Sequence, residues 1–335
     1  MVTKEMRQVR RDRRTLAMMI VMPVMLLVVF GYAASFDVST IELAVSGPQA
    51  DRVATLLSDP FEVVSPSDTD PTEILRRNQA DVAIVTQSDS AIAYIDGSEL
   101  FTARAAVQAL TAAASQGAPL TVEVLFNPEL QTSAVLVPGL AGLILIFIGS
   151  LVTSLGVVRE RQTGTLEQLA VMPLRPRDVF LGKITPYFVV AAVDLVVVLA
   201  VGALLFDVPF IGSVWLMALG SILFLFVTLG VGVLISTVSE NQGQAIQLAI
   251  MTLLPQVLLS GIIFPLESMA AGVRWIGYLL PLTYFNQIAR GVMIKDAPFE
   301  AVLFPIGLLA ALGVVVFGLA VLRFRSELGA GKGSA

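Results

Sequence analysis

The apolar positions of this 335-residue chain mostly do not alternate; they run together. Six stretches, at 15–35, 134–157, 184–206, 213–237, 243–265 and 299–322, each offer roughly the 20 apolar residues that a helix needs to cross a bilayer. They predict a polytopic α-helical membrane protein with six transmembrane helices. Only residues 36–133 change pattern. There, short β-rich runs at Ile41–Val45, Phe61–Val64, Val82–Val85, Ile92–Ile95 and Val122–Phe126 predict strands. Helical spacing fits Asp51–Ser58, Thr72–Gln79 and Leu100–Gln116, the second opened by "DPTE", and Asp96 and Gly97 mark a turn. The expectation is a small extracytoplasmic α/β domain between the first two spans.

Charge gives the spans a direction. Six basic residues lie between Lys4 and Arg14, and "RFRSELGAGKGSA" follows the sixth span. With both termini in the cytoplasm, the 158–183 loop falls inside as well, and 14 of the 21 Lys and Arg residues face the cytoplasm. The 36–133 segment then lies outside with four basic and 14 acidic residues. That acidity reads as solubility ahead of cation binding. The small residues of "FGYAAS" also allow a secretory signal, but the apolar run before them exceeds a signal core and more spans follow, so it reads as a retained first span.

With no cysteine and no histidine, the chain excludes disulfides, zinc fingers and Ser–His or Cys–His nucleophile pairs. Only carboxylate metal sites stay open, and no metal is expected. The tail "GAGKGSA" is not a phosphate-binding loop, because Gly333 follows Lys332 and Ser326 stands where that pattern needs glycine. The chain is not expected to be an enzyme or to hold a cofactor; any ATP site lies in another chain. Asp194 is the one ionisable residue deep in a span, roughly 15 Å from the inner end of its helix. It is either functional or a packed, hydrogen-bonded carboxyl. Ser150, Ser154, Gln247 and Gln256 are the neutral polar candidates for a translocation path, which suits an amphipathic substrate. The Ser150–Ser154 and Gly232–Ser236 spacings also suit close helix packing.

The segment "VVRERQTGTLEQLAVMPLRPRDVFLGKITPYF" (157–188) is a charged interruption between two spans. "RERQTG" continues as a helical exit, Leu166, Leu169 and Ala170 share a helical face, and Pro173 and Pro176 end that helix. Such a helix either docks on a partner or lies on the membrane surface. Its pattern resembles the cytoplasmic loop of type-2 ABC transporter permeases, R-E-R-x-x-G-T-L-E-x-L-x-x-x-P-L followed by G-K. The match runs through Arg159, Glu160, Arg161, Gly164, Thr165, Leu166, Glu167, Leu169, Pro173, Leu174, Gly182 and Lys183. Met172 stands where that family often has Thr. "FNPELQTSAVLVPGLAG" (126–142) and "LLSGIIFPLESMAAGVRWIGYLLPLTYFNQIARGVM" (258–293) are similar to the same family.

The resemblance implies an exporter permease in a bacterial-type cytoplasmic membrane. It would pair with a second copy or a sister permease and bind two cytoplasmic ABC ATPase subunits, which hold ATP and Mg. Residues 158–183 would be the coupling loop, and the basic stretch 1–14 a second contact. The large insert resembles the drug, lipid or lipopeptide branch. Residues 266–298 would form short re-entrant elements of an external gate, with Pro265, Glu267, Pro281, Tyr284 and Phe285 as candidates. The same segment also reads as a folded-back interfacial stretch anchored by Trp275, Tyr278 and Tyr284. A proton- or ion-coupled transporter using Asp194 and a non-transporting sensor or scaffold are the competing functions. Neither needs an ATPase, and nucleic acid is not expected as a partner.

Overall fold

A computed structural model describes residues 40–57, 60–87, 90–115, 120–163, 176–266 and 268–330. The segments expected at 1–14 and 15–35, the loop residues Gly164, Thr165, Leu166, Glu167, Leu169 and Pro173, and Glu267 lie outside the described residues.

Five strands, β1 Ile41–Ser46, β2 Phe61–Val64, β3 Val82–Thr86, β4 Ala91–Asp96 and β5 Leu120–Leu125, form one sheet in the order β2-β1-β3-β4-β5. Only the β3–β4 pair is antiparallel; β1 runs parallel to β2 and β3, and β4 parallel to β5. Alternate side chains separate two small cores, as a period of two requires. Ile41, Leu43, Val82, Ile84, Ala93 and Ile95 pack on Ala103, Ala106 and Leu110 of the helix Leu100–Ser115. On the other face Ala44 and Ala83 meet Ile74 and Leu75 of Pro71–Arg76. These helices are α3 and α2; α1 is Ala50–Leu56. Asp70 caps α2 by accepting from the Thr72 N–H at 2.8 Å, with Pro71 in the first turn. The expected helix to Gln79 stops at Arg76 because Asn78 turns left-handed, with φ of 53°.

The sheet leads into the helical part through Asn127. Its side-chain amide donates to the Gly97 and Gln131 carbonyls, each at 3.2 Å, and its oxygen accepts from the Gln131 N–H at 3.0 Å. Beyond it, α4 (Thr132–Ile146) passes through a π-helical segment, Phe147–Val152, into α5 (Thr153–Gln162). Next come α6 (Pro176–Phe206), α7 (Val214–Val238), α8 (Gln242–Leu259), α9 (Ala271–Gly277), α10 (Pro281–Lys295) and α11 (Phe299–Ala330).

Among the described residues, four helical stretches are long and apolar enough to cross a membrane: Thr132–Gln162, Thr185–Phe206, Val214–Val238 and Phe299–Arg323. Three boundaries differ from expectation, among them the last helix, expected to end at residue 322, which continues to Ala330. The helix expected over 243–265 ends at Leu259, because Gly261 takes φ of +83° and Phe264, Leu266 and Met269 fold back onto Leu258 and Leu259. The helix expected from residue 184 begins at Pro176, a residue suited to a helix's first position, so Gly182 and Lys183 lie within it rather than in a loop.

Helix α7 is the hub of the bundle. The most apolar part of its span is 61% buried, against 17% in the α6 span and 22% in the α11 span. Val189, Val190, Val193, Val196 and Val197 of α6, and Leu303, Phe304, Val314 and Val315 of α11, are exposed along faces that suit hydrocarbon. One close helix approach is glycine against glycine. A Cβ on Gly232 of α7 would lie 2.6 Å from the Gly149 carbonyl oxygen and 2.9 Å from that of Ser150, both in the π-helical segment.

That approach makes a prediction. Gly232→Ala must push two backbones apart and is expected to lower stability by about 1–3 kcal/mol. Gly318→Ala, where a Cβ meets nothing within 4 Å, should stay within about 0.5 kcal/mol of wild type. Thermal unfolding of the detergent-solubilised protein compares the two.

Candidate coupling surface, membrane path and gate

The base of the predicted coupling loop is held by side chains on α5. Arg161 Nη1 donates to the carbonyl of Ser239, the residue that ends α7, at 3.1 Å. A cation on a helix's last carbonyls is favourable both as a hydrogen bond and toward the helix dipole. One residue on, the Gln162 side-chain oxygen accepts from the Gln242 amide at 3.1 Å. Arg159, Glu160 and Arg161 thus sit on a helix end fastened to the α7–α8 turn. That turn is itself braced, because Asn241 accepts from the Gln244 N–H and the Gln244 side chain from the Glu240 N–H. Gly182 is exposed on α6, and a Cβ there would meet nothing within 4 Å.

The path candidates divide into two groups. Ser150 and Ser154 are 2% and 0% exposed, and their hydroxyls donate to the Ile146 and Leu151 carbonyls at 2.6 and 2.9 Å. Gln256 is buried and its oxygen accepts the Leu282 N–H at 3.2 Å, capping the start of α10. The two serine hydroxyls are thus satisfied within their own helical segment, and of the three only Gln256 joins one helix to another. Asp194 and Gln247 differ: Asp194 Oδ2 and Gln247 Oε1 are buried without a hydrogen-bond partner. Asp194 lies at the edge of the packed face of α6, with Ala191 and Val198 on the core side and the exposed Val190 and Val197 on the other.

The gate candidates form a tight junction. Phe285 is fully buried and stacks on Phe224 of α7, with ring centroids 4.4 Å apart. A Cβ on Gly142 of α4 would lie 2.6 Å from side-chain carbons of Leu282 and of Phe285. Tyr284 donates its hydroxyl to the Tyr278 carbonyl, and Thr283 donates to that of Gly277 at 2.7 Å, so α9 and α10 are laced together. Pro281 occupies the first turn of α10, and Pro265 precedes the fold-back turn, its carbonyl accepting from Ser268.

Sequence reasoning missed the polar groups joining α10 to the α/β domain. Lys295 ion-pairs with Asp96, both side chains 3% exposed, and Arg290 pairs with Glu99 at 2.8 Å. Nothing in residues 96–99 announces partners nearly 200 positions away. Beside this seam, a cavity of about 560 Å3 separates the domain (Glu42, Asp81, Glu99) from α11 (Val302, Phe304). Burial pushes the Asp81 carboxyl up to about 7. The Glu42 N–H, donating to it at 2.9 Å, opposes that rise, and the Glu99, Asp96 and Glu42 charges add to it.

Long apolar helices around a buried hub, with apolar faces left exposed on the outer helices, define a multi-pass helical membrane protein. More specifically, residues 13–322 match the family described as ABC-2 family transporter protein, and the chain belongs to it. It is thus a type-2 ABC transporter permease. Relatives include the probable multidrug ABC transporter permeases YbhS and YbhR of Escherichia coli K12. YbhS is 29% identical over 97% of this chain and 96% of its own length. YbhR is 28% identical over 90% of this chain and 91% of its own length. The inner membrane transport permease YhhJ of the same organism is 35% identical over 61% of this chain and 55% of its own.

The Asp81 site has a pH signature. Its folded-state pKa, about 7, exceeds the ordinary 3.8, so the stability of the protonated native form is lost as pH rises through that window. Asp81→Asn keeps an acceptor for Glu42 and removes the ionisation. Its melting temperature relative to wild type is expected to climb from about pH 4 to about pH 7 and then level off.

Proposed function

We propose that this chain is the transmembrane subunit of an ATP-driven exporter. It moves an amphipathic drug, lipid or lipopeptide out of the cytoplasm or inner leaflet by alternating access. Two cytoplasmic ATPase subunits drive it, each holding ATP and Mg, and a second permease copy or a sister permease completes the pathway. Both termini are cytoplasmic, the α/β domain is extracytoplasmic, and the membrane is the cytoplasmic membrane of a bacterial-type cell. The observation that carries this reading is the Arg161–Ser239 bond, which fastens the base of the coupling loop to the hub helix. A push on the loop would reach α7 directly. The names of the E. coli relatives, multidrug ABC transporter permeases, favour a drug-like cargo. The buried, unpartnered Asp194 oxygen favours a place for that carboxyl in the translocation path.

Reconstitution tests the reading. The permease should co-purify with an ABC ATPase and move ethidium in liposomes only when ATP is supplied. Transport with no nucleotide-binding partner present would overturn it. Arg161→Ala is expected to leave the ATPase bound and to lower ethidium moved per ATP by about fivefold. Asp194→Asn separates the competing proton-coupled mechanism: ATP-dependent export should survive the substitution, whereas a proton-coupled carrier would stop.

A further inference from the structure

The seam between the α/β domain and α10 is built unlike any other contact described above. Lys295, the last residue of α10, is 2% exposed. Its ammonium donates to the Leu75 carbonyl at 3.0 Å, to Asn78 Oδ1 and to Asp96 Oδ2. An ammonium has three N–H bonds, and all three are taken. The acceptors come from separate places: the last turn of α2, the left-handed residue after it, and the end of β4. The Phe126 ring lies 5.8 Å from the same nitrogen. Asp96 is held in turn, its other oxygen accepting the Ser98 N–H at 2.9 Å. Five residues earlier on α10, Arg290 Nη1 donates to Glu99 Oε2 at 2.8 Å and contacts the Ser98 carbonyl at 3.4 Å.

A buried ion pair is a poor source of net stability, because desolvation offsets most of the attraction. It is intolerant of displacement, since sliding either partner leaves a charge without its match. Here two cations on one helix are each held by acceptors on the domain. On the α11 side the domain stands off across the 560 Å3 cavity. The opposite end of α10 is tied to α8 by Gln256, to α9 by Thr283 and Tyr284, and to α7 by Phe285.

We infer that Lys295 and Arg290 are positioning residues that clamp the α/β domain to α10, so that domain and helix move as one body and a displacement of the domain is delivered to the gate junction at Phe285 and Phe224. The inference rests on the proposed reading of residues 266–298 as a gate.

The experiment uses the full permease–ATPase complex in liposomes, with ethidium transport and ATP hydrolysis as separate readouts. Lys295→Met with Asp96→Asn removes both charges together and keeps an acceptor for Ser98. It should assemble and hydrolyse ATP while moving about fivefold or more less ethidium per ATP. Unchanged transport per ATP in that variant would overturn the clamp. Should it fail to fold, Glu99→Cys with Arg290→Cys supplies the decision. The chain has no other cysteine, so a short bis-methanethiosulfonate crosslinker, which forms a reducible disulfide with each thiol and releases methanesulfinate, joins only that pair within the permease chain. If domain and helix move together, crosslinked protein transports at the wild-type rate and loses coupling when the link is reduced. A crosslink that stops transport while ATP hydrolysis continues would show that the seam must open, and the clamp would be wrong. Wild-type complex showing no ATP-dependent transport would instead refute the proposed function, a result distinct from either arm.

Discussion

In the hydrocarbon of a bilayer a hydroxyl or amide finds no water, so its partner must come from the protein. The packing of this chain is organised around that constraint. Ser150, Ser221 and Ser236 return their hydroxyls to their own helices, at 2.6–2.7 Å. Such residues then act as small spacers, and α7 can approach the π-helical segment until Gly232 faces the Gly149 carbonyl. Longer side chains cannot close on themselves in this way and instead join elements. Gln256 caps α10 from α8, and Asn127 ties β5 to α4. Asp194 Oδ2 and Gln247 Oε1 are therefore the informative exceptions among the path candidates.

The same logic at higher charge governs the seam between sheet and bundle. Lys295 lies at the C-terminal end of α10, where the helix dipole already favours a cation. The domain surrounds it with three oxygens from two chain segments, Leu75 and Asn78 at the end of α2 and Asp96 at the end of β4. The cavity beside it concentrates carboxylates, and there Asp81 is held protonated to an unusual pH. One rigid contact and one open one give the domain an asymmetric attachment, tight to the segment read as a gate and loose to the peripheral helix.

Much of this was legible in the sequence. The strands and helices of the 36–133 segment lie within about two or three residues of where β-rich runs and helical spacing put them, because those patterns reflect local burial. The motif 126–142 was visible as a family likeness, and the structure gives its Asn127 a physical task, closing the turn between sheet and helix. The helix of 243–265 was misjudged because apolarity persists past Leu259 while the backbone turns at Gly261. Of the site residues, the triplet Arg159, Glu160 and Arg161 stood out by charge, and the contact of Arg161 with Ser239 depends on tertiary packing. Ser150, Ser154 and Gln256 stood out only as polar residues in apolar runs, because one-dimensional polarity carries no information about the partners that the fold gives them.

The sequence alone determined that this chain crosses a membrane several times, that a small α/β domain lies within residues 36–133, and that it resembles the type-2 ABC permeases. Those properties follow from hydrophobic run length, residue periodicity and local motifs, all of which are short-range in the chain. The tertiary structure decided which polar residues are structural and which are unpartnered. It also made α7 the hub and joined Lys295 to Asp96 and Arg290 to Glu99 across nearly 200 residues. Such pairings depend on which surfaces meet, and no local pattern records that.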